Sequence, residues 1–295
     1  MTVTSTGARL TLKTILFTTD FSEASAAALP YVQGLAKWFG AKVVIAHATS
    51  AVAPLALPME PIPMEMDFDW DQAKRRLDAF IHSDPVPGAQ CEAALCRGDL
   101  WSSIPELIRK YDVDLVVLGT HGREGVKKIV LGSGAEQIFR RADCPVLTIG
   151  PRALQRDVAF ESWKHVLFAT DFSEGSLHAL PYALSIAEEN QAQLTLAHFV
   201  ALVPMQRQEM VEEQARKRLR ALLPEESANW CTPECVVRFE FPSDGILRLA
   251  EQRGADVIVM GVHKTNAPRA AAHMPWAIAY EIVCHAHCPV LTVRG

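Results

Sequence analysis

The chain has 295 residues, enough for about two domains of ordinary size. It is 49% hydrophobic and 21% charged, as a globular protein with a sizeable core is, and its net charge at pH 7 is −5. Residues 1–152 carry 16 basic and 17 acidic side chains and residues 153–295 carry 13 and 17, so neither half has the positive field that gathers nucleic acid.

In chain order, short apolar and β-branched runs alternate with amphipathic ones. Strands are predicted at 13–18, 42–47, 91–96, 114–119 and 145–150, with helices at about 22–39, 70–82, 102–111 and 134–142 between them. Such strands are apolar on both faces, and strand–helix alternation predicts an α/β fold with a doubly wound parallel sheet. After the second strand comes PLALPMEPIPMEMDFDW, residues 54–70, whose four prolines predict a loop on the carboxyl edge of the sheet. Such a loop either forms a lid or partner surface from its Met and Leu side chains, or packs them on itself. The basic triplets Lys74–Arg76 and Arg216–Arg218 read as solvated helix faces.

Past Gly150-Pro151 the chain repeats itself. TILFTTDFSEAS (14–25) matches HVLFATDFSEGS (165–176), DLVVLGTH (114–121) matches DVIVMGVH (256–263), and RADCPVLTIG (141–150) matches HAHCPVLTVR (285–294). The division is read as domains 1–152 and 158–295, the second with strands near 165–169, 193–199, 235–240, 256–261 and 289–293.

Residues 119–133, GTHGREGVKKIVLGS, run from a strand into a helix with the pattern G-x2-G-x9-G-S. Gly119 and Gly122 are expected to turn sharply at positive φ and let a ligand approach the backbone. Gly132 and Ser133 open a helix whose free amides and dipole suit a phosphate. At the end of the first strand, Asp20 follows Thr18 and Thr19, placed either for an adenine amino or ribose hydroxyl group or to cap the helix at Ser22. His121 lies inside the glycine run, as a ligand contact or as a loop histidine bonded to backbone. His47 and His198 recur at the end of the second strand in both copies, which favours a structural role.

These blocks, ILFTTDFSEAS, VVIAHA, the glycine run and CPVLTI in that order, resemble the universal stress protein family in its tandem form, over nearly the whole chain. The resemblance implies two adenine nucleotide alpha hydrolase-like domains, each a five-stranded parallel sheet of order 3-2-1-4-5. It also implies ATP as ligand, with AMP, ADP or cyclic AMP as alternatives and magnesium accompanying ATP. By position, Thr18, Thr19 and Asp20 would lie at the adenosine and Ala48 beside adenine through its backbone. Gly119, Gly122, Gly132 and Ser133, helped by Gly134 and Ala135, would hold ribose and phosphates. Where Gly134 and Ala135 stand the family often has Val and a hydroxyl residue, so one phosphate contact is in doubt. Strands 145–150 and 289–294 are expected to pair inside the chain as a pseudo-dimer, with a homodimer left open. A regulatory, cytoplasmic stress-response protein with an unidentified protein partner is the leading expectation; a nucleotide-independent scaffold and a slow ATPase are the alternatives.

The second copy keeps Thr170, Asp171 and Gly261 but has Lys264 at the place of Gly122, and His273, Met274 and Pro275 in the region of Gly132 and Ser133. It is expected to be a diverged domain without a phosphate loop, Asp171 serving mainly as a cap and Pro275 suited to start a helix. CHAHC (284–288) and the pair Cys231 and Cys235 suggest a metal at first sight. In order 3-2-1-4-5, however, the third and fifth strands lie on opposite edges, so one zinc cannot collect both pairs. Seven scattered cysteines fit reduced thiols, and no stretch is long and apolar enough to span a membrane. No Walker A, nucleophile-elbow or zinc-protease pattern is present, and no catalytic residue is assigned.

Overall fold

The computed structural model describes residues 11–49, 64–120, 135, 137–138, 142–153, 162–262 and 275–295. Its first half comprises β1 (Thr14–Thr18), α1 (Glu23–Phe39), β2 (Lys42–Thr49), α2 (Met64–His82), β3 (Cys91–Arg97), α3 (Leu100–Tyr111), β4 (Leu115–Gly119) and β5 (Val146–Ile149). The second half comprises β6 (His165–Ala169), the single turn α4 (Glu174–Leu177), α5 (Leu180–Asn190), β7 (Gln193–Phe199) and α6 (Met205–Ala221). It continues with β8 (Glu234–Arg238), α7 (Pro242–Arg253), β9 (Val257–Val262), α8 (Pro275–His285) and β10 (Val290–Arg294).

All ten strands join one sheet in the order β3-β2-β1-β4-β5-β10-β9-β6-β7-β8. Each half therefore has its own 3-2-1-4-5 order, as the resemblance implies. The halves meet antiparallel, with Leu147 opposite Leu291, Thr148 opposite Val290 and Val146 opposite Thr292. The last two pairs exchange equivalent positions about the Leu147–Leu291 pair, the geometry of an isologous two-fold contact. Joining β5 to β10 covers two sheet edges that would otherwise stand open.

The central strands are apolar because both faces are covered, and the edge strands β3 and β8 are partly exposed. Ile15 and Phe17 of β1 belong to one buried layer and Leu16 to the other. Each layer runs across both halves without a break, the first carrying Leu35, Leu147, Trp163 and Leu291 together. Trp163 packs edge-on against Trp38, with ring centroids 5.8 Å apart. At the amino edge, Asp114 accepts the Lys13 and Thr14 amides at 2.7 and 2.9 Å, and Asp256 does the same for Lys164 and His165. The acidic residue that opens each DLVVLG-type block thus ties the fourth strand of its copy to the first.

One boundary differs from the expectation. Helix α2 begins at Met64, inside the segment read as a loop to residue 70. Its prolines are Pro54, Pro58, Pro61 and Pro63, so the helix starts directly after the last of them, and proline constrains the residue before it rather than the one after. Pro275 opens α8, the first-turn position that proline tolerates.

Candidate functional site

From β1 the sheet extends one way to β2 and β3 and the other way to β4 and β5, so the strand order reverses between β1 and β4. Crevices form outside the carboxyl ends of strands at such a switch point. Here one of about 210 Å³ opens, and Thr18, Thr19, Asp20, Ser25, His47, Ala48, Gly119, Thr120 and Ala135 are among its walls. Beyond its last pairing with β1, Thr18 to Ala46, β2 continues to Thr49 paired with β3. The side of Ala48 that would face β1 therefore faces the crevice.

The turn that forms the crevice floor is built by hydroxyls. The buried Thr19 Oγ1 accepts the Phe21 amide at 2.9 Å and lies 3.0 Å from Ser25 Oγ. Asp20 accepts the amide and hydroxyl of Ser22, and Ser22 Oγ accepts the Ser25 amide as the N-cap of α1. Asp20 thus orients the cap and does not itself cap the helix, while its residue stays exposed at the crevice mouth.

Phe21 has φ +60°, a conformation rare for a bulky residue. It is held by the Thr19 bond, by the His47 ring at 4.7 Å, by Phe80 edge-on at 5.7 Å and by the Arg76 guanidinium 4.3 Å above its ring. His47 Nδ1 donates to the Thr19 carbonyl at 2.8 Å. The second copy repeats the arrangement with Phe172 at φ +63°, His198 donating to Thr170, and Arg218 4.0 Å above the Phe172 ring. The last residue of each basic triplet, read as solvated, is therefore an exposed arginine with a defined seat.

Gly119 departs from its predicted role. Among the described glycines positive φ occurs at Gly40, Gly88, Gly98 and Gly254, and Gly119 instead closes β4 as a strand residue. A Cβ there would lie 2.0 Å from the Ala24 carbonyl oxygen, so the glycine admits the first turn of α1. Gly261 meets the Gly175 carbonyl in the same way at 2.1 Å, which accounts for its presence in both copies. His121, Gly122, Gly132, Ser133 and Gly134 lie outside the described residues; Ala135 is helical and lines the crevice.

The matching crevice of the second copy, at the ends of β6 and β9, measures about 80 Å³. Thr170, Asp171 and Ser176 repeat its polar floor, whereas Phe199 and Met260 stand where the first copy has Ala48 and Leu118. Counted back without gaps from the shared Ala142 and Ala286, Gly132 and Ser133 fall opposite Trp276 and Ala277, slightly beyond the residues first matched to them.

A sequence profile of the Universal stress protein family matches residues 11–150 and again residues 162–294. The chain belongs to the universal stress protein family. Universal stress protein MJ0531 of Methanocaldococcus jannaschii is 28% identical over 138 residues, 46% of this chain and 81% of that protein. A universal stress protein from Archaeoglobus fulgidus superposes with a TM-score of 0.71 at 19% identity, covering 95% of this chain and 98% of its own. A putative universal stress protein from Pseudomonas aeruginosa does so with 0.63 at 15% identity, covering 96% and 93%. These two likenesses span both halves of the tandem fold.

Ser25 and Thr120 of this universal stress protein line the crevice without having been singled out in the sequence. Ser25 had a signal, since it falls three residues after the capping Ser22 and recurs as Ser176. Cys284 and Cys288 are buried in the core, and β8, which carries Cys235, is separated from β10 by β9, β6 and β7. Among the described residues no group of three or more His, Cys, Asp or Glu could hold a metal ion, and no helix is long and apolar enough to cross a membrane.

Proposed function

We propose that this universal stress protein binds one adenine nucleotide per chain, ATP foremost, in the crevice of the first copy, and that occupancy regulates a stress-response partner. The observation that carries the reading is the difference between two crevices at equivalent places, about 210 Å³ against about 80 Å³. Gly119 and Thr120, the first residues of the G-x2-G-x9-G-S run, line the larger one, and the second copy's sequence lacks that run. Adenosine fits the exposed Asp20 carboxylate and the unpaired side of Ala48, with Thr18 and Thr19 as neighbours. Phosphates are assigned from sequence to His121, Gly122, Gly132, Ser133 and Gly134, beside Gly119 and Ala135. Magnesium would arrive with ATP, since Asp20 is the one carboxylate among the described lining residues. Division into a binding domain 1–152 and a diverged domain 158–295, and a cytoplasmic location, belong to the same reading.

Regulation requires that the nucleotide bind two states with different affinity. Isothermal titration with ATP is expected to give one site per chain, and Gly122→Asp together with Gly132→Asp to abolish it. Undiminished binding by that variant would remove the site assignment. An interaction scaffold indifferent to nucleotide is the second reading, favoured by exposed Leu202, Met205 and Phe241. No thermal shift with ATP, ADP or cyclic AMP would select it.

A further inference from the structure

The two-fold relation between β5 and β10 holds for the strands and fails for the residues around them. Each contact across the junction has an image in which the two copies exchange places, and at three points the images differ. Gly150 ends its strand against α8 of the other copy, where a Cβ would lie 2.1 Å from the Val283 carbonyl oxygen. Its counterpart in the second copy is Arg294, whose guanidinium reaches the Asp143 carboxylate at 3.4 Å. Asp143 in turn corresponds to His287. Beside the sheet, Trp38 of α1 meets Trp163 of the second copy edge-on at 5.8 Å. The counterpart of Trp38 is the exposed Glu189, and that of Trp163 is Leu12.

These differences decide which copies can pair. Two second copies joined through β10 in the same register would set Arg294 against Val283, where the space admits only glycine. The backbone of a packed helix has little room to yield. The same pairing would turn Arg294 toward His287 in place of Asp143. It would also turn Glu189 toward Trp163 in place of Trp38, a carboxylate against an indole of the apolar layer. All three changes oppose it. Two first copies would set Gly150 toward Asp143 and Trp38 toward Leu12, which adds no side chain beside a helix backbone and no charge beside a tryptophan. That arrangement, however, leaves the β10 strands with open edges. Pairing of unlike copies covers every one of these edges and keeps all three contacts.

We infer that the second copy is built as the partner of an unlike copy. Its pairing face rejects another second copy, and by occupying β5 it closes the edge through which the first copy would join a further chain. Neither property depends on nucleotide binding. A protease site placed between residues 153 and 162 lets the purified chain be nicked with both halves present. The nicked chain and its ¹⁵N-labelled form are mixed in urea, refolded together and measured as intact complexes by native mass spectrometry. Pairs of one first and one second half are expected, with labels scrambled and no pairs of two second halves. Second–second pairs at about a quarter of the total, the share that random pairing gives, overturn the inference. Arg294→Gly with Glu189→Trp gives the second copy the first copy's residues and is expected to make second–second pairs appear; their continued absence removes these residues as the cause. The uncut chain tests the same faces without refolding. There Gly150→Arg and Trp38→Glu, each alone, put a second-copy residue on the first copy's face. Each is expected to quicken amide exchange in β5 and β10 about tenfold or more. Arg294→Gly, which gives up only an ion pair exposed at Asp143, is expected to quicken it less than about threefold. Exchange equal to wild type in both Gly150→Arg and Trp38→Glu overturns the inference whatever the nicked chain does.

Discussion

At positions 119 and 261, glycine serves the fold before it serves any ligand. A methyl group at Gly119 would meet a backbone carbonyl at 2.0 Å and one at Gly261 at 2.1 Å, and backbone atoms in the first turn of a packed helix have little room to yield. Gly119→Ala and Gly261→Ala should each cost about 1–3 kcal/mol, toward the upper end, read as a lower urea midpoint with unchanged slope. Equal losses at the two sites are expected, because the contact is the same in both copies. An unchanged midpoint in Gly119→Ala would mean that the residue is set by ligand geometry instead. Histidine shows the same division of roles. Burial lowers the pKa of His198 below its usual 6.5, against the Thr170 carbonyl, which raises it, and burial lowers His165 likewise. The neutral folded form binds fewer protons than the unfolded chain, so this stabilisation is complete above about pH 6.5 and fades as pH falls through the lower folded value. Urea midpoints measured across that window should fall with acidification more steeply for the wild type than for His198→Gln. Parallel curves would show that His198 does not contribute.

Among the elements, the pairing of β5 with β10 decides most. Leu291 is 3% exposed and faces Leu147 at the centre of the junction, where the two apolar layers also pass from one half to the other. A carboxylate there would enter the apolar layer and would have to be buried in it or break the pair. Leu291→Asp is expected to cost about 3 kcal/mol or more and to split unfolding into two transitions, seen as non-coincident near- and far-ultraviolet dichroism. A single unshifted transition would show that the halves are held elsewhere, at Trp38 and Trp163 for instance. The central strands were legible because both of their faces are buried, which writes them as unbroken apolar runs, while the half-exposed edge strands β3 and β8 carry charged residues among the apolar ones. The start of α2 was less so. Four prolines obscured a helix that begins after the last of them, because a cluster of prolines says where a helix is interrupted and not where it resumes.

For the molecule as a whole, the tandem repeat, the 3-2-1-4-5 order and the pairing of the last strands followed from matched blocks and the family they resemble. The crevice at the switch point was legible in part. Thr18, Thr19, Asp20, Ala48, Gly119 and Ala135 do converge on one crevice, while Thr120 and the Phe21–His47–Arg76 stack emerge only in the folded chain. Residues that meet across a turn and a distant helix carry no joint signal in a single sequence. By itself, then, the sequence determined what local pattern can encode: two copies, apolar strands, capped helices, and a glycine run present in one copy alone. Tertiary structure decided what depends on distance between remote segments. It turned Gly119 from a turn into a contact with Ala24, and of the two readings of Asp20, ligand contact or cap, it replaced the cap with the support of one. It also turned the loss of a motif in the second copy into a smaller crevice of a different chemistry. Steric exclusion acts between atoms that the fold brings together, and that is why only the folded chain reveals which glycine must stay small and which cavity stays open.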